Sequence, residues 1–435
     1  MSKKATNISK QDDSRPLLKP KLRFPEFRNA EPWHVTKLNT LLFEAKHRNR
    51  SLELGPADVL SVSGEYGCVN QIEFMGRSYA GATVKDYHVV EHGDVVYTKS
   101  PLKRNPYGII KENKGKRGIV STLYAVYRPF PTCSATYLDH FFSVDYNLNA
   151  YLQPIVRKGA KNDMKVNNAD VLKGDIWIST LSEQEKIANC LTSTDDLIKA
   201  QARKVDALNT HKKALNQQLF PRRGEMQPRL RFPEFRDSKE WSFDLLGNIF
   251  KTSSGGTPQR TKKENWNGTV PWITTSLVDF NTITEAEEYI SDAGLKSSSA
   301  KVFPEKTILM AMYGQGKTRG KVAMLGIRAA TNQACAAILP RKDINPHFVF
   351  LNLGSRYEEL RSLSNSGGQE NLSQGLVKGL QFSFPSSQTE QQRIAECLNS
   401  LDDLIAVQSQ KLDLLKTHKK GLMQQLFPSA VEVEA

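Results

Sequence analysis

Apolar residues recur along two stretches of the chain in alternating steps of four and three, which is the spacing of a coiled-coil helix. The first seam consists of Ile187, Leu191, Thr194, Ile198, Gln201, Val205, Leu208, Lys212, Leu215 and Leu219, and the second of Ile394, Leu398, Leu401, Ile405, Gln408, Leu412, Leu415, Lys419, Leu422 and Leu426. Each seam contains one glutamine and one lysine, and polar seam positions usually fix the register of a coiled coil. The pattern predicts two long helices, over 182–221 and 389–428, whose seams pack on each other. The heptads alone leave parallel and antiparallel pairing open.

The ends of both helices also carry sequence signals. Ser182 stands three residues before Glu185, and Thr389 stands three residues before Gln392. This spacing predicts a capping box at each start, in which the two side chains satisfy free backbone N–H groups. A proline follows each seam and predicts the end of the helix.

The two seams belong to an internal duplication. KLRFPEFRNAEPW, which ends at Trp33, returns as RLRFPEFRDSKEW, which ends at Trp241. The helical stretch from Ser182 likewise returns from Thr389. The segments between these copies, 35–178 and 243–385, show little similarity to each other. Two similar scaffolds therefore carry two different inserts, which favours a shared, symmetric partner surface and two different ligands.

Both inserts show short strand-like runs punctuated by glycine and proline. The runs are 84–90, 94–98 and 123–127 in the first insert, and 270–274, 307–312, 321–325 and 334–339 in the second. We predict a mixed α+β protein with two globular α/β domains and a pseudo-twofold repeat. Its parts are a loose basic tail (1–20), a first domain (21–181), a first helix (182–221), a linker and second domain (222–388), a second helix (389–428) and a short tail (429–435).

Charge adds a partner class to this architecture. Among 435 residues, Lys and Arg number 60 and Asp and Glu number 46, which gives a net charge of +14. A polyanion is the leading partner, and a merely soluble basic protein is the alternative. The five cysteines form no CxxC pair, which argues against a disulfide framework or a structural zinc. With no long apolar run and a polar amino terminus, we expect a cytoplasmic protein without membrane contact.

Basic residues cluster within the inserts. Seven of them and one acid lie between residues 99 and 117, and further clusters surround TPQRTKKENWNG and the segment 315–319. Lysine commonly contacts phosphate, whereas arginine and glutamine can read base edges. The residues predicted to contact DNA are Lys99, Lys103, Arg104 and Arg117 in the first insert, and Arg260, Lys262, Lys263, Gln315, Lys317 and Arg319 in the second.

The sequence offers little for catalysis. AMYGQGKT, at 311–318, is similar to a phosphate-binding loop whose first glycine is alanine, but that motif needs a helix beginning at Lys317. The following RGKVAMLG is strand-like, so a hairpin turn is favoured. We find no HExxH and no deaminase arrangement of histidine and cysteine. We therefore predict no catalytic, cofactor-binding or metal-binding residue in this chain, with a nucleotide hydrolase and a protein-binding coiled-coil adaptor as alternatives.

Taken together, residues 21–428 resemble the specificity (S) subunits of type I restriction-modification systems. The resemblance rests on the LRFPEFR motifs with their tryptophans, on EQEKIANCLTSTDDLI and EQQRIAECLNSLDDLI, and on the two HKK tails ending in QQLFP. In the second insert it rests on GGTPQRTKKENWNGTVPWIT and ATNQACA, whereas the first insert departs from this pattern.

The resemblance implies a non-catalytic subunit that works within a larger machine. Each insert would be a target-recognition domain reading one half of a bipartite sequence in double-stranded DNA. The helices would pack antiparallel and set the gap between the half-sites. The repeated scaffolds would seat two modification subunits, which carry S-adenosylmethionine and methylate adenine, and restriction subunits using ATP and Mg²⁺ would join them.

Overall fold

The computed structural model describes residues 19–158, 164–222, 224–314, 317–363 and 371–427. Contacts divide the chain into two compact units, one formed by 1–201 with 411–435 and the other by 202–410. Each long helix contributes one end to each unit. The predicted tails at 1–20 and 429–435 lie almost entirely outside the described residues.

The first unit is built around an antiparallel sheet. Its strands are β1 (His34–Lys37), β2 (Leu42–Glu44), β3 (Leu60–Ser63), β4 (Gly67–Asn70), β5 (His88–Val90), β6 (Val95–Thr98), β7 (Ile109–Glu112), β8 (Gly118–Val120), β9 (Tyr124–Pro129), β10 (Arg157–Lys158), β11 (Met164–Lys165) and β12 (Asp175–Ile178). Its helices are α1 (Gln71–Met75), α2 (Ala135–Phe142), α3 (Asp145–Leu152), α4 (Asn168–Val171) and the start of α5 (Leu181–Leu219). The central sheet has the strand order β2-β9-β6-β7.

The second unit repeats this design with different residues. Its strands are β13 (Ser242–Leu245), β14 (Thr252–Ser254), β15 (Trp266–Ile273), β16 (Thr282–Ile283), β17 (Glu288–Ile290), β18 (Val302–Phe303), β19 (Ile308–Ala311), β20 (Val322–Leu325), β21 (Ala329–Thr331), β22 (Cys335–Ile338) and β23 (Gln381–Phe384). Its helices are α6 (Leu246–Ile249), α7 (Asp292–Lys296), α8 (Pro346–Ser355), α9 (Tyr357–Ser362), α10 (Gln374–Lys378) and the start of α11 (Gln388–Leu426). The main sheet has the order β14-β22-β19-β20-β16.

The strands confirm the mixed fold predicted from sequence. Each of the seven strand-like runs overlaps a strand, and the ends differ by a few residues. The strands at the centre of both sheets are fully buried because helices cover them. The alternating and continuous apolar runs therefore marked the sheet cores correctly.

Each insert enters and leaves through a two-stranded stem. In the first unit β1 pairs antiparallel with β12, and in the second unit β13 pairs antiparallel with β23. The strand that brings the chain into a domain is thus bonded to the strand that takes it out. This closure makes each insert a self-contained domain on its scaffold.

The repeated amino-terminal motif anchors the first domain to the long helix. Arg23 forms two hydrogen bonds to the carboxylate of Glu183, at 2.8 and 2.7 Å, and Trp33 Nε1 donates to the same carboxylate at 3.4 Å. Arg23 also donates to the backbone carbonyls of Ala30 and Glu31. Glu183 is only 1% exposed, so its charge depends on these partners. The hydrogen bond to Glu183 raises the pKa of Arg23.

The second copy of the motif builds the same anchor. Arg231 donates to both carboxylate oxygens of Glu390 at 2.7 Å, and Trp241 Nε1 donates to Glu390 at 3.1 Å. The same hydrogen-bonded cluster of arginine, tryptophan and glutamate thus occurs once in each repeat. This explains why sequences far apart in the chain are duplicated together.

The long helices pack antiparallel within each unit. In the first unit, residues 181–201 of α5 pack with 411–426 of α11, and Lys419 forms an ion pair with Asp195 at 2.6 Å. In the second unit the equivalent ion pair joins Lys212 to Asp402. Both lysines are predicted seam positions, and the seam residues are buried or half-buried along both helices. The coiled coil is thus confirmed, and the reciprocal ion pairs account for the repeated DDLI and HKK sequences.

The predicted capping boxes are wrong. Both helices begin two residues earlier than the boxes require, so Ser182 and Thr389 lie inside the first turn. At the second helix, Ser387 Oγ accepts a hydrogen bond from the backbone N–H of Glu390 at 3.3 Å. The first helix ends two residues before its proline, as expected, whereas Pro428 lies outside the described residues.

The carboxyl end of each helix packs into the domain of the other repeat. Phe220, which ends the first helix, contacts Phe348 of the second domain with ring centroids 5.5 Å apart. Phe427, which ends the second helix, contacts Tyr137 and Phe141 of the first domain, both at 5.6 Å. The leucine and phenylalanine of each repeated QLFP tail are therefore core residues. Each domain's core includes the end of the long helix that belongs to the other repeat.

Candidate nucleic-acid interface

The basic segments of the second domain leave its main sheet at the same end of the strands. Because β14 and β19 both pair antiparallel with β22, both end where β22 begins. The segments 255–265, 312–321 and 332–334 leave the sheet at this edge. Exposed members of both basic clusters predicted in the second insert, Lys262, Lys263 and Lys317, therefore lie in segments that leave the sheet at the same end, although more than fifty residues separate the clusters in sequence.

The GGTP motif fixes the first of these segments. The backbone N–H of Gly256 donates to Thr331 at 2.8 Å, and Trp272 Nε1 donates to the carbonyl of Gly256 at 2.9 Å. A Cβ at Gly255 would lie 1.8 Å from the carbonyl oxygen of Thr331, so only glycine fits. The close approach also explains why GGTP and ATNQ occur together.

Arg260 is held in place by side chains of the same domain. It forms an ion pair with Glu288, and its guanidinium lies 3.9 Å from the ring centroid of Trp266 and 4.9 Å from that of Trp272. Lys262 and Lys263 are exposed nearby. The arrangement presents two exposed ammonium groups beside an oriented guanidinium, and their contacts with DNA stay a prediction.

The second basic cluster is divided between surface and interior. Lys317 is exposed, and its carbonyl accepts a hydrogen bond from Tyr357 at 2.5 Å. Arg319 is 9% exposed, and its Nη2 donates to the carbonyl of Arg361 at 2.8 Å. Gln315 lies outside the described residues. Of the two described members, Lys317 is the one whose side chain reaches solvent.

The segment that resembles a phosphate-binding loop is a hairpin connection. β19 and β20, on either side of it, pair antiparallel, and no helix begins at Lys317 in this described stretch. A phosphate-binding loop requires a strand followed by a helix whose N-terminus faces the phosphates. The hairpin interpretation is confirmed, and the nucleotide-hydrolase alternative loses its structural basis.

The first domain separates the basic residues that the sequence clusters. Lys99, Lys103 and Arg104 lie in the connection between β6 and β7, where the last two are exposed. Lys111 is buried and donates to Ser143 at 2.6 Å, and Lys114 forms an ion pair with Asp139 at 2.7 Å. The run from 99 to 117 is therefore not one loop, because β7 interrupts it.

Arg117 lies at the opposite end of the β6–β7 hairpin from Lys99. It forms ion pairs with Glu91 at 2.9 Å and with Glu53 at 3.5 Å. Two carboxylates beside it make this a less electropositive place than the sequence run indicated. The structure thus groups Lys99, Lys103 and Arg104 and places Arg117 apart from them.

Sequence reasoning missed a basic run beside Lys99. The segment KHRNR, at 46–50, leaves β2 on the same edge of the sheet and contains no acidic residue. The pKa of Lys99 is lowered, mainly by burial. The charge of Glu44 opposes this shift, and the charge of Arg48 adds to it. Arg48 is therefore near enough to Lys99 for the two charges to interact. The sequence signal that could have revealed this basic segment is its composition, since three of its five residues are lysine or arginine and a fourth is histidine.

The described residues also bear on metal binding, cysteine chemistry and membrane insertion. Within the ranges that the structure describes, no group of three or more His, Cys, Asp or Glu side chains could hold a metal ion. The five cysteines form no disulfide, and burial raises the pKa of Cys68 to about 12. No helix in the described parts of the chain is long and apolar enough to cross a membrane.

The sequence profile of the family described as "Type I restriction modification DNA specificity domain" matches residues 238–417. The chain therefore resembles this family over its second half. The matched residues hold the second domain and most of the second long helix. The match includes EQQRIAECLNSLDDLI, one of the scaffold sequences that the first half of the chain duplicates.

Curated specificity subunits resemble this chain over part of its length. The EcoR124I/EcoR124II specificity subunit of Escherichia coli is 31% identical over 170 residues, which are 38% of this chain and 41% of that protein. The MjaIX specificity subunit of Methanocaldococcus jannaschii is 27% identical over 194 residues, 43% of this chain and 44% of that protein. The chain spans less than half the length of these two relatives.

Two solved structures share the fold of this chain over nearly its whole length. The type I restriction-modification S subunit from M. genitalium has a TM-score of 0.55 and 14% identity, covering 94% of this chain and 99% of that one. A chain from a study of assembly and conformational transition in the type I system has a TM-score of 0.55 and 16% identity, covering 91% and 97%. The likeness confirms the predicted architecture.

Proposed function

We propose that this chain is the sequence-specific DNA-binding subunit of a type I restriction-modification complex. Each of its two domains reads one half of a bipartite target. The observation that carries this is that two domains share one sheet order and one Arg–Glu–Trp anchor but present different residues on the equivalent sheet edge. Two domains with the same scaffold but different surface residues can each contact a different half-site.

The chemistry of the complex belongs to other subunits in this proposal. Two copies of a modification subunit would bring S-adenosylmethionine, and restriction subunits would bring ATP and Mg²⁺. Equivalent exposed leucines on the two helices, Leu197 and Leu404, are 59% and 41% exposed and offer the same apolar contact twice. Such duplication supports docking of two identical partners on the repeated scaffold.

Lengthening the helices tests whether they set the gap between half-sites. One matched heptad added to each helix, within 199–212 and 406–419, preserves the seam because seven residues complete one repeat. The addition is about 10 Å at about 1.5 Å per residue, comparable to roughly 3 base pairs at about 3.4 Å each. It also rotates the half-site by over roughly a quarter turn at about 10.5 base pairs per turn. We expect a longer preferred gap at reduced affinity, measured by selection from a library of spacers. Recovery of the original gap at full affinity would exclude the helices as the spacing element.

Methylation-sensitive sequencing of host DNA with and without this gene tests the proposed function itself. With the gene present, methylated adenines should define one asymmetric motif made of two short specific parts and a fixed nonspecific gap. Deleting the gene should abolish methylation at that motif and leave other motifs unchanged. An unchanged set of methylated motifs in an otherwise intact system would contradict the proposal.

A further inference from the structure

The two domains have equivalent strands in their main sheets, which permits a comparison that sequence similarity does not. β2, β9, β6 and β7 correspond in order and antiparallel pairing to β14, β22, β19 and β20. The connection after β6 therefore corresponds to the connection after β19. The segment leaving β2, at 45–50, likewise corresponds to the GGTPQRTKK segment leaving β14.

This correspondence pairs two basic segments of unrelated sequence. The first domain has no GGTP motif, but its segment at the same position is AKHRNR, in which Lys46, His47 and Arg50 are exposed. Lys99 lies on the same edge, since its backbone N–H donates to Leu123 just before β9 begins. The first domain thus has a cationic edge where the second domain has one.

The backbone of this segment is held rigidly. The N–H of Val89 donates to the carbonyl of His47 at 3.1 Å, and the N–H of Asn49 donates to Tyr87 at 2.9 Å. The buried Asn49 side chain donates to the carbonyl of Leu54 at 2.8 Å. Because the backbone is fixed, it needs no ordering when a ligand binds, and only the exposed side chains of Lys46 and Arg50 have to be ordered.

The carboxylate closest in sequence to this edge is already engaged. Glu44, at the end of β2, accepts a hydrogen bond from Asn168 Nδ2 at 2.7 Å. Arg48 donates to the backbone carbonyl of Asp86 at 2.7 Å and so supports the segment. Lys46 and Arg50 are exposed cations on this backbone, and exposed lysine and arginine side chains are the groups that contact a phosphate backbone.

We propose that Lys46, Arg50 and Lys99 form the phosphate-contacting edge of the first domain, the counterpart of the Thr257–Lys263 segment in the second. The occupant is the DNA duplex of the first half-site. This inference rests on the proposed function, and it assigns the contact to residues that no motif of the family marks.

The test measures DNA binding by the chain assembled with its modification subunits, using a duplex that carries both half-sites and a scrambled duplex. Lys46→Ala/Arg50→Ala is compared with Lys37→Ala/Lys173→Ala, which removes two lysines from the same domain whose partners are Asp175 and Asp170. We expect about tenfold weaker binding for the first variant and a salt slope smaller by about two, since each phosphate contact contributes about 0.9. The second variant should change neither, and Lys46→Arg/Arg50→Lys should keep the wild-type slope.

The outcomes separate this inference from the function on which it rests. If the wild-type complex prefers the target duplex but both alanine variants have its slope and affinity, the contact edge is elsewhere and the proposed function stands. If the wild-type complex shows no preference for the target duplex, the proposed function fails and the inference fails with it.

Discussion

Replacing Glu183 by alanine is expected to lower the free energy of unfolding by about 3–5 kcal/mol, because it leaves Arg23 charged in a buried position without its partner. The side chains of Arg23 and Glu183 are 7% and 1% exposed, so water cannot replace the lost carboxylate. Trp33 would lose the acceptor for its indole N–H as well. Urea unfolding followed by hydrogen–deuterium exchange checks both the size and the location of the loss.

Glu185→Ala is the matched control for this prediction. Glu185 lies two residues away on the same helix but is exposed, so its removal should change the free energy of unfolding by less than about 0.5 kcal/mol. The loss in Glu183→Ala should appear as reduced exchange protection in the first unit, and Glu390→Ala should reproduce it in the second. Equal stability of the Glu183 and Glu185 variants would show that the repeated motifs do not anchor the domains.

The periodic parts of the fold could be read from sequence because periodicity reflects burial directly. The seam from Ile187 to Leu219 is buried or half-buried in the structure because its 3-4 spacing places those residues on one helical face. Strand runs such as 307–312 were found for the same reason. The direction of pairing could not be read from the seam, since both directions bury the same face. The reciprocal pairs of Lys212 and Lys419 settle it.

The roles of individual polar residues were hidden because their partners are distant in sequence. Glu183 and Gln184 look like ordinary residues of a first helical turn, yet Glu183 binds Arg23 and Gln184 accepts the backbone N–H of Ser134 at 3.1 Å. Capping was misassigned for a similar reason. A serine and a glutamate at the right spacing match a local motif, whereas their side chains serve tertiary contacts or solvent.

Charge clusters in the sequence predicted only in part which basic residues lie together in the fold. Residues adjacent in sequence were assumed to share a surface, but a strand hairpin sends its two ends to opposite sides, as for Lys99 and Arg117. Lys114 forms an ion pair with Asp139 of α2, so it is not a cation that contacts only solvent. Sheet topology supplied what the linear pattern lacked, because it places the segment that leaves β2 at the same end of the sheet as Lys99.

Exchange of the second insert is expected to produce the largest functional change. The scaffold should survive the exchange of residues 243–385 because the anchor formed by Arg231, Trp241 and Glu390 lies outside them. The paired strands β13 and β23 enter and leave the domain side by side, so a relative's insert can be joined there. Exchange of 35–178 through the β1–β12 stem is the matched control.

Methylation sequencing of cells carrying the 243–385 exchange tests the central claim that each domain reads one half of the target. The prediction is a new bipartite motif in which one half-site is replaced by that of the donor, while the other half-site and the gap are unchanged. The control exchange of 35–178 should replace the other half-site instead. A folded, assembled chimera that alters both half-sites, or neither, would contradict the account.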